Sequence, residues 1–428
     1  MADAADTAAA IAAIWHIEAA RIIAQVARMT RDLGLAEDFA QDALVAALEH
    51  WPVDGIPGRP GAWLLTTARR RALDHLRHRA QAVPRHTELA GEIDAQHAIK
   101  ADDFSAMVDD ALDDDIGDDL LRLIFTACHP VLSPEARSAL TLKVMGGLST
   151  AEIARAYLKP EPTIAQRIVR AKRTLAEARV PYEVPRGAER DARLASVLEV
   201  IYLVFNEGYA ATAGDDWVRP ALCEEAIRLG RVLATLMPDE GEVHGLVALM
   251  EIQASRLAAR VDAHGEPILL LEQDRTRWDR LLIRRGLAAL AQAERLPAPL
   301  GPYALQAAIA ACHARAATAD ATDWPRIAAL YDALAQLAPS PVVELNRAVA
   351  VAMAFGPAAG LEIVDGLRHD PRLAHYHLLP SVRGDLLRRL ERIDEARAEF
   401  ERAATLARNA RERALLLRRA AECGGRGG

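Results

Sequence analysis

Gly146-Gly147-Leu148-Ser149-Thr150-Ala151-Glu152-Ile153-Ala154-Arg155-Ala156-Tyr157, continuing as Leu158-Lys159-Pro160-Glu161-Pro162-Thr163-Ile164-Ala165-Gln166-Arg167-Ile168-Val169-Arg170-Ala171-Lys172-Arg173, decides how the chain is read. Ser149 predicts the N-cap of a short helix, and Glu152, three residues on, completes a capping box. Ile153, Ala154 and Tyr157 have the spacing of an inward face. Lys159-Pro160-Glu161-Pro162 breaks the helix, because proline offers no amide donor, and Thr163 is placed to start the next one. Ile164 and Ile168 then point inward, while Gln166, Arg167, Arg170, Lys172 and Arg173 point outward. This is a helix-turn-helix whose second helix carries amide and cationic groups near its start, a pattern that suits a DNA major groove. A solvated helical hairpin fits the same spacing; taken alone, the motif favours DNA.

Upstream, Ile11, Ile14, Ile17 and Ile22 open an apolar periodicity. Ala36-Glu37-Asp38-Phe39-Ala40-Gln41-Asp42-Ala43-Leu44-Val45 continues as an amphipathic helix with acidic and amide groups outward. Pro52 to Gly61 is rich in Pro and Gly and predicts a loop. The stretch from Gly61 to Arg79 is a strong helix with a cationic cluster, Arg69, Arg70, Arg71, Arg77 and Arg79, able to contact phosphates or simply to face water. Residues 81–118 hold Asp102-Asp103, Asp109-Asp110 and Asp113-Asp114-Asp115; self-repulsion and scarce core material predict a linker.

The whole chain sets the bounds. Its 428 residues predict two or more domains, and 51% hydrophobic residues suffice for large cores. Aromatics are only 4%, and the abundance of Ala, Leu and Arg favours helix over strand. A net charge of −8 argues against a protein that merely coats DNA, so the basic residues must act locally. Cys128, Cys223, Cys312 and Cys423 form no CxxC pair, which argues against a disulfide framework or zinc ribbon. Cys128-His129, Cys312-His313, His375 and His377 do not combine into a ligand set, so no metal and no cofactor are assigned. The acidic opening Met1–Asp6 lacks a secretory signal's basic start, and no apolar run is expected to span a bilayer. A soluble cytoplasmic protein with reduced thiols is expected.

Residues 190–420 are one long run of helical patterns. Leu378 to Arg389 predicts a helix, Leu390-Glu391-Arg392-Ile393 a turn, and Asp394 to Ala407 a second helix. Gly384, Leu387, Leu390, Ala396, Phe400 and Ala403 carry the small/large pattern of a tetratricopeptide repeat. Stacked helix pairs of this kind usually form a concave binding surface. Asn206, Glu207, Tyr209, Asp274, Arg275, Trp278, Asp279, Asn346 and Arg347 are candidate binding groups there, with buried networks between helices the favoured reading.

The N-terminal blocks, taken in order, resemble the extracytoplasmic-function sigma factors of bacterial RNA polymerase. Ala36–Asp42 resembles the region-two helix that docks on the polymerase clamp; Gly61–Arg77 resembles the following helix, which faces the minus-ten promoter element; residues 148–173 resemble region four, which reads the minus-thirty-five element. Downstream, Val204-Phe205-Asn206-Glu207-Gly208-Tyr209, Asp274-Arg275-Thr276-Arg277-Trp278-Asp279 and Ser340-Pro341-Val342-Val343-Glu344-Leu345-Asn346-Arg347 resemble the subgroup with a tetratricopeptide-like C-terminal extension. The resemblance implies an all-α fold: region two at 10–80, a flexible acidic linker at 81–118, region four at 119–180 and a regulatory helical-repeat domain at 190–422. It implies no covalent chemistry. Asp38, Gln41, Asp42 and Val45 would contact the polymerase core. Trp63, Arg69, Arg70, Arg77, Thr163, Gln166, Arg167, Arg170 and Arg173 would contact DNA, with Thr163, Gln166 and Arg167 nearest to base edges and the later arginines on phosphates. The implied partners are the core (clamp and flap), promoter DNA and a soluble regulatory partner of the C-terminal domain, without a membrane. The main alternative is a helix-turn-helix regulator with a helical-repeat sensor, which has no need for the Asp38/Asp42 helix followed by the Trp63–Arg77 helix. An enzyme in the C-terminal helices is disfavoured, since no nucleophile–base pair or phosphate loop is evident.

Overall fold

Helix-favouring composition is realised almost everywhere. A computed structural model describes residues 2–82, 112–157, 159–209, 219–262, 267–407 and 410–424, and among these the one extended pairing is an isolated bridge between Val261 and Pro267. The chain divides into two compact units, Met1–Val200 and Ile201–Gly428. Most of the acidic segment expected to be a linker, residues 83–111, lies outside the described residues. Its C-terminal end is helical from Leu112 onward.

The first unit opens with α1 (Ala2–Thr30), α2 (Leu33–Asp54) and α3 (Pro60–Ala82). Ile11, Ile22, Ile23 and Val26 of α1 are buried against its neighbours, but Ile17 is 67% exposed and drops out of the expected stripe. A strict three-to-four spacing from Ile14 overruns the face that α2 and α3 cover. Residues Thr7–Thr30 are long and apolar enough, by length and composition, to cross a membrane, contrary to the expectation that no run is. Here the core-forming residues of that helix pack inside the unit. Asp32 caps α2, its carboxylate accepting from the amides of Gly34 (2.8 Å) and Leu35 (3.1 Å). Pro52 lies inside the last turn of α2, so the loop predicted from Pro52 shrinks to residues 55–59.

There follow α4 (Leu112–Ala127), α5 (Pro134–Val144), α6 (Thr150–Ala156), α7 (Glu161–Glu177) and α8 (Gly187–Tyr209). The predicted capping box is present: the Ser149 hydroxyl accepts from the Glu152 amide, and the Glu152 carboxylate accepts from the Ser149 amide at 2.7 Å. Ser149→Ala should therefore cost about 1 kcal/mol of thermal or urea stability in the first unit. A helix-turn-helix as stable as wild type would show that this cap is dispensable. α7 starts at Glu161, two residues before the expected start at Thr163. Pro162 sits in the first turn, where no amide donor is needed.

The second unit contains α9 (Pro220–Leu236), α10 (Gly241–Ala254), α11 (Arg280–Arg295), α12 (Pro302–Arg315), α13 (Trp324–Leu337), α14 (Pro341–Phe355), α15 (Pro357–Leu367), α16 (Leu378–Arg389), α17 (Ile393–Leu406) and α18 (Ala410–Gly424). The helix–turn–helix predicted at 378–407 matches α16 and α17. Gly384 lets α16 approach closely, since a Cβ there would lie 3.0 Å from the fully buried Phe400 ring. Gly245 does the same between α10 and α12, where a Cβ would meet the Ala304 backbone at 2.6 Å.

His313 on α12 is buried with its ring edge on Trp324 (5.1 Å between centroids), and burial beside Arg256 and Arg275 pushes its pKa down to about 4. The folded state thus disfavours the imidazolium, while the unfolded chain takes up the proton near pH 6.5. The stability given by the neutral ring is fully present above pH 6.5 and is lost as pH falls toward 4, by at most about 3 kcal/mol. Urea titrations at pH 7 and pH 4.5 should show this loss in wild type and a smaller one in His313→Leu; equal losses would exclude His313 as the source.

Candidate nucleic-acid interface

The helix-turn-helix rests on buried Ile153, Ala154, Ile164, Ile168, Ala171 and Leu175. That packing turns Thr163, Gln166, Arg170 and Arg173 outward along α7, with Arg167 half-buried between them. Thr163, Gln166, Arg167 and Arg170 line one groove of about 340 Å³, closed on its other side by Val131 and Leu132. Val169 is 64% exposed on the same ridge. Its signal in the sequence is an apolar side chain set among outward-facing polar ones. Between the lining residues Ser133 and Ala136 in the chain, the Glu135 carboxyl is held below its usual range by its own amide at the start of α5, then by the Ser133 hydroxyl and, further off, by Arg167.

Lys172 departs from the expected outward face. Its ammonium donates to Glu37 of α2 and, at 3.2 Å, to Asp38. Lys143 of α5 stands 3.6 Å from the same Glu37, which is 3% exposed. Burial works to lower the Lys172 pKa, but Glu37 and Asp38 outweigh it and hold it raised. One helical turn along α2, Gln41 donates to Glu37, and Asp42 pairs with Arg71 of α3 at 3.0 Å. Val45, a further turn on, is half exposed. Asp38, Gln41, Asp42 and Val45 therefore lie along one face of α2, and its Asp38 end is engaged by the helix-turn-helix.

The arginines of α3 divide. Arg70 and Arg77 are exposed, Arg77 loosely paired with Asp74 at 3.5 Å. Arg69 is turned inward and donates to Gln25 of α1 at 2.8 Å; burial and then Arg28 lower its pKa. A guanidinium tied into the core has little reach toward a phosphate. Trp63 is half-buried with its ring edge on the buried Trp51, 5.3 Å between centroids. Arg79's side chain lies outside the described residues.

A second set of ties runs from α1 to α4 and to the segment after α7. Asp119 of α4, 1% exposed, pairs with Arg122 at 2.6 Å and Arg28 of α1 at 3.5 Å. The Tyr182 hydroxyl sits within hydrogen-bond reach of the carbonyls of Ala24 (3.0 Å) and Asp119 (3.1 Å), and burial pushes its pKa up.

In the second unit, several polar candidates bond internally. Arg275 donates to the carbonyls of His313 and Ala316, both at 2.7 Å, and lies 5.0 Å from the Trp278 ring. Glu207 pairs with Arg219; Asp274 and Asp279 cap local turns; Arg347 bonds Glu344 and Asp332. Arg275, Glu207 and the Arg347–Asp332 pair tie separate elements together, as the network reading expects, whereas the exposed Asp274 and Asp279 only cap their own turns.

Comparison with known proteins agrees with the order of these blocks. Residues 17–82 match the sigma-70 region 2 family, residues 122–175 match sigma-70 region 4, and residues 193–294 match a family of unknown function. The chain is 45% identical over 391 residues, 91% of its length and 90% of the relative's, to an uncharacterized protein of Rhizobium meliloti. It is 30% identical to the ECF RNA polymerase sigma factor SigK of Mycobacterium ulcerans, over 39% of this chain and 83% of that one. It is 31% identical to the ECF RNA polymerase sigma factor SigL of Mycobacterium tuberculosis, over 40% of this chain and 90% of that one. With both modules in the same order and such relatives covered nearly end to end, the chain belongs to the ECF RNA polymerase sigma factors, and carries a further helical domain beyond them.

Proposed function

We propose that the protein directs RNA polymerase core to promoters in the cytoplasm, with α2 as the polymerase-docking element and α7 as the reader of the minus-thirty-five element. The observation that carries this is the separation of faces: acidic and amide groups Asp38, Gln41 and Asp42 run along α2, while Thr163, Gln166, Arg170 and Arg173 run along the outer side of α7. Charge of opposite sign on two modules suits two partners, a basic protein surface and a polyanion. Thr163, Gln166 and Arg167 meet base edges, Val169 suits a thymine methyl, and Arg170 and Arg173 take phosphates. Arg70 and Arg77 take phosphates near the minus-ten element, and Trp63 contacts the promoter with its exposed edge while Trp51 holds its other side. Arg69 acts through α3 packing. The C-terminal helical domain modulates activity through a soluble partner.

The test is transcription in vitro, with purified protein, sigma-free core polymerase and a pool of genomic promoters. Discrete new start sites sharing two upstream elements support the proposal. DNA binding without core binding or initiation would replace it with a conventional helix-turn-helix regulator.

A further inference from the structure

We propose that the free protein masks its own polymerase-docking face: the helix-turn-helix covers the start of α2, and core polymerase and α7 compete for it. The inference rests on the reading of α2 as the docking element. Four observations lead to it.

Lys172 and Lys143 converge on Glu37 and Asp38, at the beginning of the face formed by Asp38, Gln41, Asp42 and Val45. Lysines paired with these carboxylates offer what a basic polymerase surface would offer, so each excludes the other. Next along α2, Gln41, Leu44 and Val45 line a groove of about 470 Å³ together with Trp15 and His16 of α1, and Lys143 of α5 with Gly147 and Glu152 at the start of the helix-turn-helix supplies a second wall. A partner entering that groove displaces the second wall. At Gly147 the backbones come close: its φ is +66°, and a Cβ would lie 3.3 Å from the His16 Cα of α1. On the far side, Asp119 with Arg28, and Tyr182 with the Ala24 carbonyl, fasten the same two blocks.

Distance supplies the fourth observation. Elements near minus ten and minus thirty-five are about 25 base pairs apart, roughly 85 Å along B-DNA at 3.4 Å per step. A compact unit of this length has a radius of gyration of about 16 Å and so a diameter near 45 Å. Direct contact between α2 and α7 cannot persist while both elements are read. The 29 residues 83–111 have a contour of at most about 100 Å, enough to allow the separation. The mask is partial, because Val45 is half exposed and Asp42 faces α3, so polymerase can engage that end first and strip Lys172 away.

Two measurements on the full chain test this. Carbodiimide, which joins an amine to a carboxylate in direct contact, should couple Lys172 to Glu37 or Asp38 in the free protein, as read by peptide mass spectrometry. Saturating core polymerase should abolish that cross-link. Lys172→Gln should bind core about three- to tenfold more tightly, since apparent affinity scales with the open fraction, and Lys172→Arg should match wild type. Lys143→Gln provides a second variant should helical circular dichroism show Lys172→Gln to be misfolded. No cross-link in the free chain, a cross-link that survives in the complex, or unchanged core affinity in both folded Gln variants would overturn the masking. A wild-type chain that cross-links but never binds core would instead overturn the docking assignment, and the masking with it, while leaving the contact itself in place.

Discussion

Replacing Gln166 and Arg167 together by alanine is expected to reduce initiation at the protein's own promoters by about 10- to 100-fold, with core binding intact. The two side chains share a groove with Thr163 and Arg170 near the start of α7, where base edges come within reach. A good base contact contributes about 1–3 kcal/mol of discrimination, so the pair accounts for a loss of that order. The packing of α7 should survive, because Ile164, Ile168, Ala171 and Leu175 carry it. Arg170→Ala and Arg173→Ala should behave differently. Each should weaken binding about equally on all sequences and flatten the salt dependence by about one unit of slope. Binding titrations on promoter and scrambled duplexes across a salt series separate the two classes. A Gln166/Arg167 variant that loses affinity equally on both duplexes would move those residues to the phosphate class.

Phe400→Ala is expected to destabilise the C-terminal unit by about 3–5 kcal/mol, the range for deleting a fully buried aromatic ring. Phe400 fills the space between Gly384 of α16 and the α18 side of the bundle, and the Arg419 guanidinium lies 4.6 Å from its ring centroid. Neighbours built around a glycine and several alanines cannot collapse into the cavity. Arg419→Ala should cost only about 1 kcal/mol, since its contact is one cation–π interaction and an ion pair to Asp385. Hydrogen exchange of α16, α17 and α18 in the full chain measures both. Protection in Phe400→Ala equal to wild type would exclude a shared core through that ring. If the C-terminal domain modulates transcription, the same variant should also shift transcript yield.

Where local chemistry decides, sequence and structure coincide. The Ser149–Glu152 box needs only residues three apart, and α16 and α17 are bounded by turn residues within a few positions. The limits of reading appear at prolines and charges. Pro162 and Pro52 read as breaks in the sequence, yet the first and last turns of a helix tolerate proline, so α7 starts earlier and the loop before α3 is shorter than the prolines suggest. Lys172, Arg69 and Glu37 look like surface charges by spacing. Their burial depends on which helix of another block lies opposite, and sequence spacing carries no information on that. The outward side of α7 was readable because its partner face is absent: Gln166, Arg170 and Arg173 meet solvent. The acidic face of α2 is legible in composition, but its pairing with Lys172 is not.

The four cysteines have a practical consequence. All are buried and free, and burial pushes the thiols of Cys128 and Cys223 up, to about 11 and about 12, and that of Cys312 upward as well. At pH 7 a thiol with a pKa near 11 is thiolate in only about one molecule in ten thousand, and thiolate is the species that alkylates or oxidises. Maleimide dyes should therefore leave the native protein nearly unmarked until it unfolds. A pair of cysteines introduced at exposed positions on two helices would take donor and acceptor dyes selectively with all four natural ones retained, so inter-helix distances could be followed in real time on an otherwise wild-type chain.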